Sequence, residues 1–301
     1  MSEQETINYT RVLKGESSFP TISVLLPVKN GAKYIRETLD TVSKQTFKDW
    51  ELVIMDGDST DGTLEIIKEW ASGKRVNVRV YSEPDENGFH AITRAFEVSR
   101  GSLIFMLCAS DGYLNSRWFE KCVKAMSDPE ISLVWGIPFQ MTEEGKMIGA
   151  NFQYAHFLPK FNPLPVIVHL LKKVFSKGFL SKVNSANLNS ARNIIRRQKI
   201  PQKADWIAYW RKTGTMFPDG NMCVRREIFD KYFPKYQVGS KDPGDFTHFN
   251  RRFNEDGLLA HGIPEPANYG RTHRKQVGEV VKEYNDQKTK EYLRKIPLDK
   301  Q

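Results

Sequence analysis

Residues 22–63 read ISVLLPVKNGAKYIRETLDTVSKQTFKDWELVIMDGDSTDGT, and the order of patterns within them decides the fold. Ile22 to Val28 is an unbroken apolar run of strand length, the pattern of a strand buried on both faces. Lys29-Asn30-Gly31 breaks it, and Tyr34, Ile35, Leu39 and Val42 then recur at helical spacing. A second strand, Glu51 to Met55, ends in a Gly/Asp/Ser turn. There Thr60 or Asp61 can cap the free N–H groups of a helix that reaches Ala71.

The same rhythm continues outward. Strands are predicted at Val76 to Tyr81, Leu103 to Cys108 and Ser132 to Trp135, and helices at Phe89 to Ser99 and Arg117 to Met126. Strand–helix–strand units of this length need right-handed crossovers. They give an α/β fold with a mostly parallel sheet and helices on both faces. Ligands of such sheets sit beyond the carboxyl ends of the strands, so the loops after Val28, Met55, Tyr81 and Cys108 are the candidate site. The rhythm fails from about Phe139, and an ordered pattern returns from Thr215 to Arg274.

At 301 residues the chain can bury a large core, and 40% hydrophobic with 27% charged residues excludes a disordered or fibrous protein. Cys108, Cys122 and Cys223 are odd in number and lack metal-type spacing, so they read as small core residues in a reducing compartment. The polar N-terminal residues carry no secretory signal pattern, and no apolar run approaches the roughly 20 residues of a spanning helix. A cytoplasmic protein, soluble or bound to a surface, is expected.

The net charge of +9 is local. Residues 156–212 hold twelve Lys and Arg against Asp205, a charge of +11, which leaves −2 for the rest of the chain. Lys172, Lys173 and Lys177 lie there among Leu170, Leu171, Val174 and Phe175, the mixture of an amphipathic helix resting on an anionic membrane surface. The alternatives for that apolar face are the protein's own core or a second subunit, as in a homodimer. The aromatics sit among aliphatics and no nucleic-acid motif is present, so no nucleic-acid partner is expected.

Three loops carry acids at strand ends. Asp56-Gly57-Asp58 offers acceptor oxygens to a base or ribose edge, and Glu83-Pro84-Asp85 is a second acidic turn, with Arg94 on the helix beyond it placed to reach a phosphate. Ser110-Asp111 provides one carboxylate for a hard divalent cation.

In this order, with SEPDENGFHAITRAF, FMLCASDGYL, FPDGNMCVRREIFDK and PGDFTHFNRRFNEDG, the loops resemble the inverting nucleotide-sugar glycosyltransferases of family 2, which have the GT-A fold. The resemblance covers residues 20–135 and 215–275. It implies that Pro27, Val28 and Asn30 lie against the nucleobase, that Asp56 or Asp58 and Asp85 hold base and ribose, and that Arg94 approaches the diphosphate. Ser110 and Asp111 would hold ribose and a divalent metal, Mn²⁺ or Mg²⁺, with His273 as a second metal ligand. Ala109 and Gly112 stand where further acids can occur, which leaves Asp111 alone, and His90 replaces a frequent aspartate. Asp245 would be the catalytic base, because an acceptor hydroxyl must lose a proton as the diphosphate leaves from the opposite face. Asp219, Gly220 and Asn221 would touch donor or acceptor sugar.

The implied organisation is an extension (1–19), a nucleotide-sugar-binding half (20–150), a basic helical insertion (151–214), a half carrying the base (215–275) and a charged tail (276–301). The implied protein takes a nucleotide-sugar donor, a UDP-sugar by family frequency, and a glycan or a polyprenyl-linked or other lipid-linked acceptor. It would work at the inner face of the cell membrane in lipopolysaccharide, capsule or other glycoconjugate synthesis. The alternative is a catalytically degenerate fold that binds sugar nucleotides as a scaffold.

Overall fold

Alternating burial of both faces of each strand forces a three-layer arrangement. In the computed structural model, which describes residues 6–10, 19–72, 77–150, 217, 219–233, 235–236, 238 and 246–272, β2 (Ile22–Val28) sends Ile22, Val24, Leu26 and Val28 into one core and Leu25 into the other. The first core is closed by α1 (Ile35–Ser43), α2 (Thr63–Ser72) and α4 (Trp118–Ala125). The second is closed by α3 (Gly88–Val98), α5 (Arg226–Tyr232) and α6 (Phe246–Glu255), which contribute Ala95, Phe96, Phe229, Phe249 and Phe253.

The remaining described strands are β1 (Thr6–Thr10), β3 (Trp50–Asp56), β4 (Asn77–Ser82), β5 (Leu103–Met106), β6 (Gly112–Tyr113), β7 (Ile131–Met141), β8 (Met147–Ala150), β9 (Cys223–Arg225) and β10 (Leu259–Arg271). They form one sheet in the order β1-β4-β3-β2-β5-β9-β7-β10-β6, with β8 on β7. β4, β3, β2 and β5 are mutually parallel, as the βαβ rhythm requires. β9 runs antiparallel between β5 and β7, so β7 and its parallel neighbour β10 point the same way as β5. All these carboxyl ends therefore open on one edge of the sheet.

Three details depart from the sequence reading. The strand expected at 132–135 extends to Met141, because β9, β10 and β8 all pair along it. The N-terminal extension contributes β1, which adds antiparallel to β4. Cys122 and Cys223 are buried as expected, but Cys108 is exposed, because β5 stops at Met106 and the thiol lies beyond the strand end. The basic insertion and the tail lie outside the described residues. Among the described residues no helix is long and apolar enough to cross a membrane.

The opposite edge of the sheet is closed by a buried ion pair. Arg79 donates to Glu51 at 2.5 Å, while Ser23 Oγ and the Arg100 N–H take the other Glu51 oxygen at 2.6 and 2.5 Å. A buried charge stripped of its partner costs about 3–5 kcal/mol. Arg79→Met should therefore lower unfolding free energy by about that amount in urea titrations, and the double variant Glu51→Leu/Arg79→Met should recover most of it. A single variant within about 1 kcal/mol of the parent would refute the role of the pair.

Candidate functional site

The turn after β3 is built by its own side chains. Asp56, almost wholly buried, accepts from the Ser59 N–H (3.1 Å) and Ser82 Oγ (2.7 Å) through Oδ2, while its Oδ1 is buried with no hydrogen-bond partner. Asn30, in the left-handed region at φ 52°, donates its N–H to Ser59 Oγ and accepts from the Thr60 N–H. Asp61 caps α2 and also holds the Ala32 N–H at 3.0 Å. The loops after β2 and β3 are thus one rigid unit with Asp56 at its centre. Asp58, also left-handed, is exposed on its rim, Pro27 is partly exposed, and Val28 is buried beneath it.

Asp85, in the loop after β4, lays its carboxyl group against Gly57. A β-carbon at 57 would stand 2.9 Å from Asp85 Cγ, so only glycine allows the approach. Burial raises the Asp85 pKa first of all, Lys29 and His90 pull it down, and Asp56 pushes it up. Four charged or titratable groups thus converge at this end of the cleft, of which Lys29 is one that the sequence reading overlooked. The Arg94 guanidinium is ion-paired with Glu83 of the same loop. His90, within the first turn of α3, accepts the Glu86 N–H on Nδ1 and stacks on Tyr236 with ring centroids 5.3 Å apart.

The third loop, after β5, meets the second half of the chain. Asp111 Oδ1 accepts the Arg271 N–H at 3.0 Å and lies 3.4 Å from Ser110 Oγ. Its Oδ2 lies 3.7 Å from where a β-carbon on Gly220 would stand, so it faces the turn Asp219–Asn221. Enclosure by protein, helped by the Asp219 carboxylate, raises the Asp111 pKa to about 7 against the pull of the Arg271 N–H bond. Burial raises Asp219 as well. Asp111 and Asp219 are both partly exposed, as groups on the floor of a cleft are.

Asn221 lies behind that floor. It is fully buried, and its amide accepts from the Gly136 N–H (3.0 Å) and donates to Gly136 O (3.3 Å) and Asn268 Oδ1 (2.8 Å). It therefore positions the 219–220 turn, and no face of it is open to a sugar. Arg271, buried at the end of β10, was passed over in favour of its neighbour His273. The signal available was an arginine at the end of a strand otherwise rich in small residues. Asp245, His273, Lys172, Lys173 and Lys177 lie outside the described residues.

Among the described residues no three acidic, histidine or cysteine side chains form a metal cage. Asp111, with Asp219 close enough for its charge to raise the Asp111 pKa, nevertheless fits a single hard divalent cation, which takes one or two carboxylates and completes its shell with water and phosphate oxygens.

An α/β sheet with acids gathered at its carboxyl edge places a ligand site there, and comparison with known families gives the class. The model of Glycosyl transferase family 2 matches residues 23–233, and the chain belongs to that family. It is 24% identical to the hyaluronan synthase of Pasteurella multocida over 272 residues, which cover 88% of this chain and 27% of the synthase, so it spans about a quarter of that relative. Two solved structures share its GT-A fold. The mannosyltransferase PcManGT of Pyrobaculum calidifontis, in complex with GDP-Man and Mn²⁺, has a TM-score of 0.55 at 16% identity, over 93% of this chain and 63% of its own. S. aureus TarS 1–349 in complex with UDP-GlcNAc has 0.53 at 14%, over 85% and 60%.

A raised carboxyl pKa means that the folded protein holds a proton the unfolded chain has released. Stability from this source is therefore lost as pH rises from about 4 through about 7. In EDTA, Asp111→Asn should raise the melting temperature at pH 8 and leave it nearly unchanged at pH 4.5. An equal effect at both pH values would contradict the raised pKa.

Proposed function

We propose that the protein is an inverting glycosyltransferase that moves a sugar from a nucleotide-sugar donor, of the UDP class, to a hydroxyl of a glycan or lipid-linked acceptor. The observation that carries the reading is the succession of Asp56, Asp85 and Asp111 at the ends of neighbouring parallel strands, with Asp56 Oδ1 buried and without a partner. A donor N–H of a base, or a ribose hydroxyl, would satisfy that oxygen. The nucleotide sugars held by the two structural neighbours support the same class of ligand.

In this reading Pro27, Val28 and Asn30 bound the base, Asp56, with Asp58 on the rim, and Asp85 hold base and ribose, and Ser110 and Asp111 face the ribose and diphosphate. Arg94 reaches the diphosphate only by exchanging Glu83 for phosphate oxygens. Asp111, with Asp219 or His273, would hold Mn²⁺ or Mg²⁺, whose charge would neutralise the departing diphosphate. Asp219 and Gly220 border the sugar.

The acceptor oxygen attacks the anomeric carbon as the bond from that carbon to the diphosphate oxygen breaks, and the hydroxyl proton passes to a carboxylate on the attacking side. Asp245 is the residue assigned that role. It is joined by one peptide bond to Phe246, where α6 begins. Asn250 of α6 accepts the Phe217 N–H at 3.0 Å, two residues before Asp219. That link anchors the helix beside the Asp219 turn and supports a base near the sugar. A single displacement inverts the anomeric centre.

The basic segment with Lys172, Lys173 and Lys177 is assigned to an anionic membrane surface at the cytoplasmic face, where a lipid-linked acceptor for lipopolysaccharide or related glycans would be met.

Asp245→Asn should reduce transfer about 10²- to 10⁴-fold, the range lost with a general base, while nucleotide affinity measured by calorimetry changes less than ~3-fold because donor binding needs no base. Parent-level turnover in the variant would remove Asp245 from the chemistry.

A further inference from the structure

Arg271 makes more contacts around Asp111 than a strand-end arginine needs. Its own N–H fixes Asp111 Oδ1 at 3.0 Å. Its guanidinium reaches the carbonyl of Ser110 (3.3 Å), on the same loop, and those of Thr142 (3.5 Å) and Glu143 (3.4 Å), in the turn between β7 and β8. It pairs with Glu37 of α1 at 2.6 Å and lies over the Tyr34 ring, 4.5 Å from its centroid. Tyr269 Oη donates to the other Glu37 oxygen at 2.8 Å. The side chain is 2% exposed and that of Glu37 is 50% exposed, so the cation is enclosed while its counter-charge is wet.

This geometry has two consequences. A buried guanidinium needs its counter-charge, and Glu37 supplies it from a helix that does not touch the floor of the cleft through that side chain. The Arg271 backbone is paired with Met141 in the β7 ladder, and the planar fork adds three carbonyls from two separate loops, which lysine, a point donor on a flexible stem, cannot reproduce. With one carboxylate where two acids can occur, the Asp111 carboxylate is met by the Arg271 N–H and Ser110, while Thr38 of α1 holds the Asp111 carbonyl at 2.7 Å.

We propose that Arg271 is a positioning residue that fixes the Asp111 carboxylate for the cation and diphosphate, with Glu37 as the counter-ion that keeps the guanidinium in place. The inference rests on the reading of Asp111 as part of the donor site. In this proposal Arg271 acts through Asp111, its guanidinium being engaged by Glu37 and the loop carbonyls.

The test uses the full chain and two variants, Arg271→Lys, which preserves charge, and Glu37→Gln, which preserves shape on a half-exposed residue and so is expected to fold. Mn²⁺ affinity is measured by electron paramagnetic resonance with saturating UDP, and the melting temperature is measured without metal. Loss of an outer partner of a metal ligand weakens metal binding about 10- to 100-fold. Arg271→Lys should fall in that range, and Glu37→Gln should weaken binding at least threefold while still unfolding cooperatively without metal.

Parent-level Mn²⁺ affinity in folded Glu37→Gln and Arg271→Lys protein would overturn the proposal. So would a lowered melting temperature with unchanged affinity, since that is a purely structural role. Failure of the parent protein itself to bind Mn²⁺ with UDP would instead refute the donor-site reading.

Discussion

The site depends on how one buried amide is satisfied. Asn221 has no access to water, and its side chain can be enclosed only because Gly136 of β7 and Asn268 of β10 meet its oxygen and nitrogen. Its carbonyl accepts the Trp118 indole N–H from α4. These bonds lock the second half of the chain to the sheet at the point where β9 inserts between β5 and β7. The turn just before Asn221 is thereby held over the loop after β5, and Asp219 is brought to Asp111. A polar group left unsatisfied there would cost about 1–3 kcal/mol, which makes the join specific as well as stable.

The two edges of the sheet handle charge in opposite ways. At the amino edge Glu51 is neutralised by Arg79 and held by Ser23 and Arg100, which ties β2, β3, β4 and the chain before β5 together. At the carboxyl edge Asp56, Asp85, Asp111 and Asp219 gather, while the Arg94 and Arg271 cations are engaged by Glu83 and Glu37. Burial, above all, raises the carboxyl pKa values at Asp85, Asp111 and Asp219, and neighbouring acids add to it at Asp85 and Asp111. A ligand that brings N–H donors, hydroxyls and a divalent cation would relieve it. Perturbed carboxyl groups gathered in one place are the pattern expected of a binding site.

The parallel half of the fold was legible because its signals are local. Each strand is a short apolar run, each helix has its own stripe, and Asp61 and Asn87 cap helices next to them in sequence. Asp56, Asp85 and Asp111 could be named for the same reason: in a βαβ chain the residue after a strand is at the ligand edge. The other half was less legible, because its determinants pair across long separations. Asn221 reads as a sugar contact in a polar turn, yet its partners are 85 and 47 residues away. Glu37 and Arg271 are 234 residues apart, and nothing in the neighbourhood of either announces the other. β10 carries Pro264 and Pro266, which lack the N–H of a regular ladder, and its register with β7 shifts around them, so its pattern is not that of a simple strand.

The central claim is a metal-assisted nucleotide site built around Asp56, Asp85 and Asp111. It is tested most directly by thermal unfolding with UDP, GDP, dTDP or CMP, each in Mn²⁺, Mg²⁺ or EDTA. A ligand at a hundred times its dissociation constant adds about 2.7 kcal/mol, a shift easily measured in a chain of this size. The account predicts stabilisation by UDP that requires the cation and disappears in Asp111→Asn. Stabilisation by none of the four nucleotides, or one that survives both EDTA and the loss of Asp111, would contradict it.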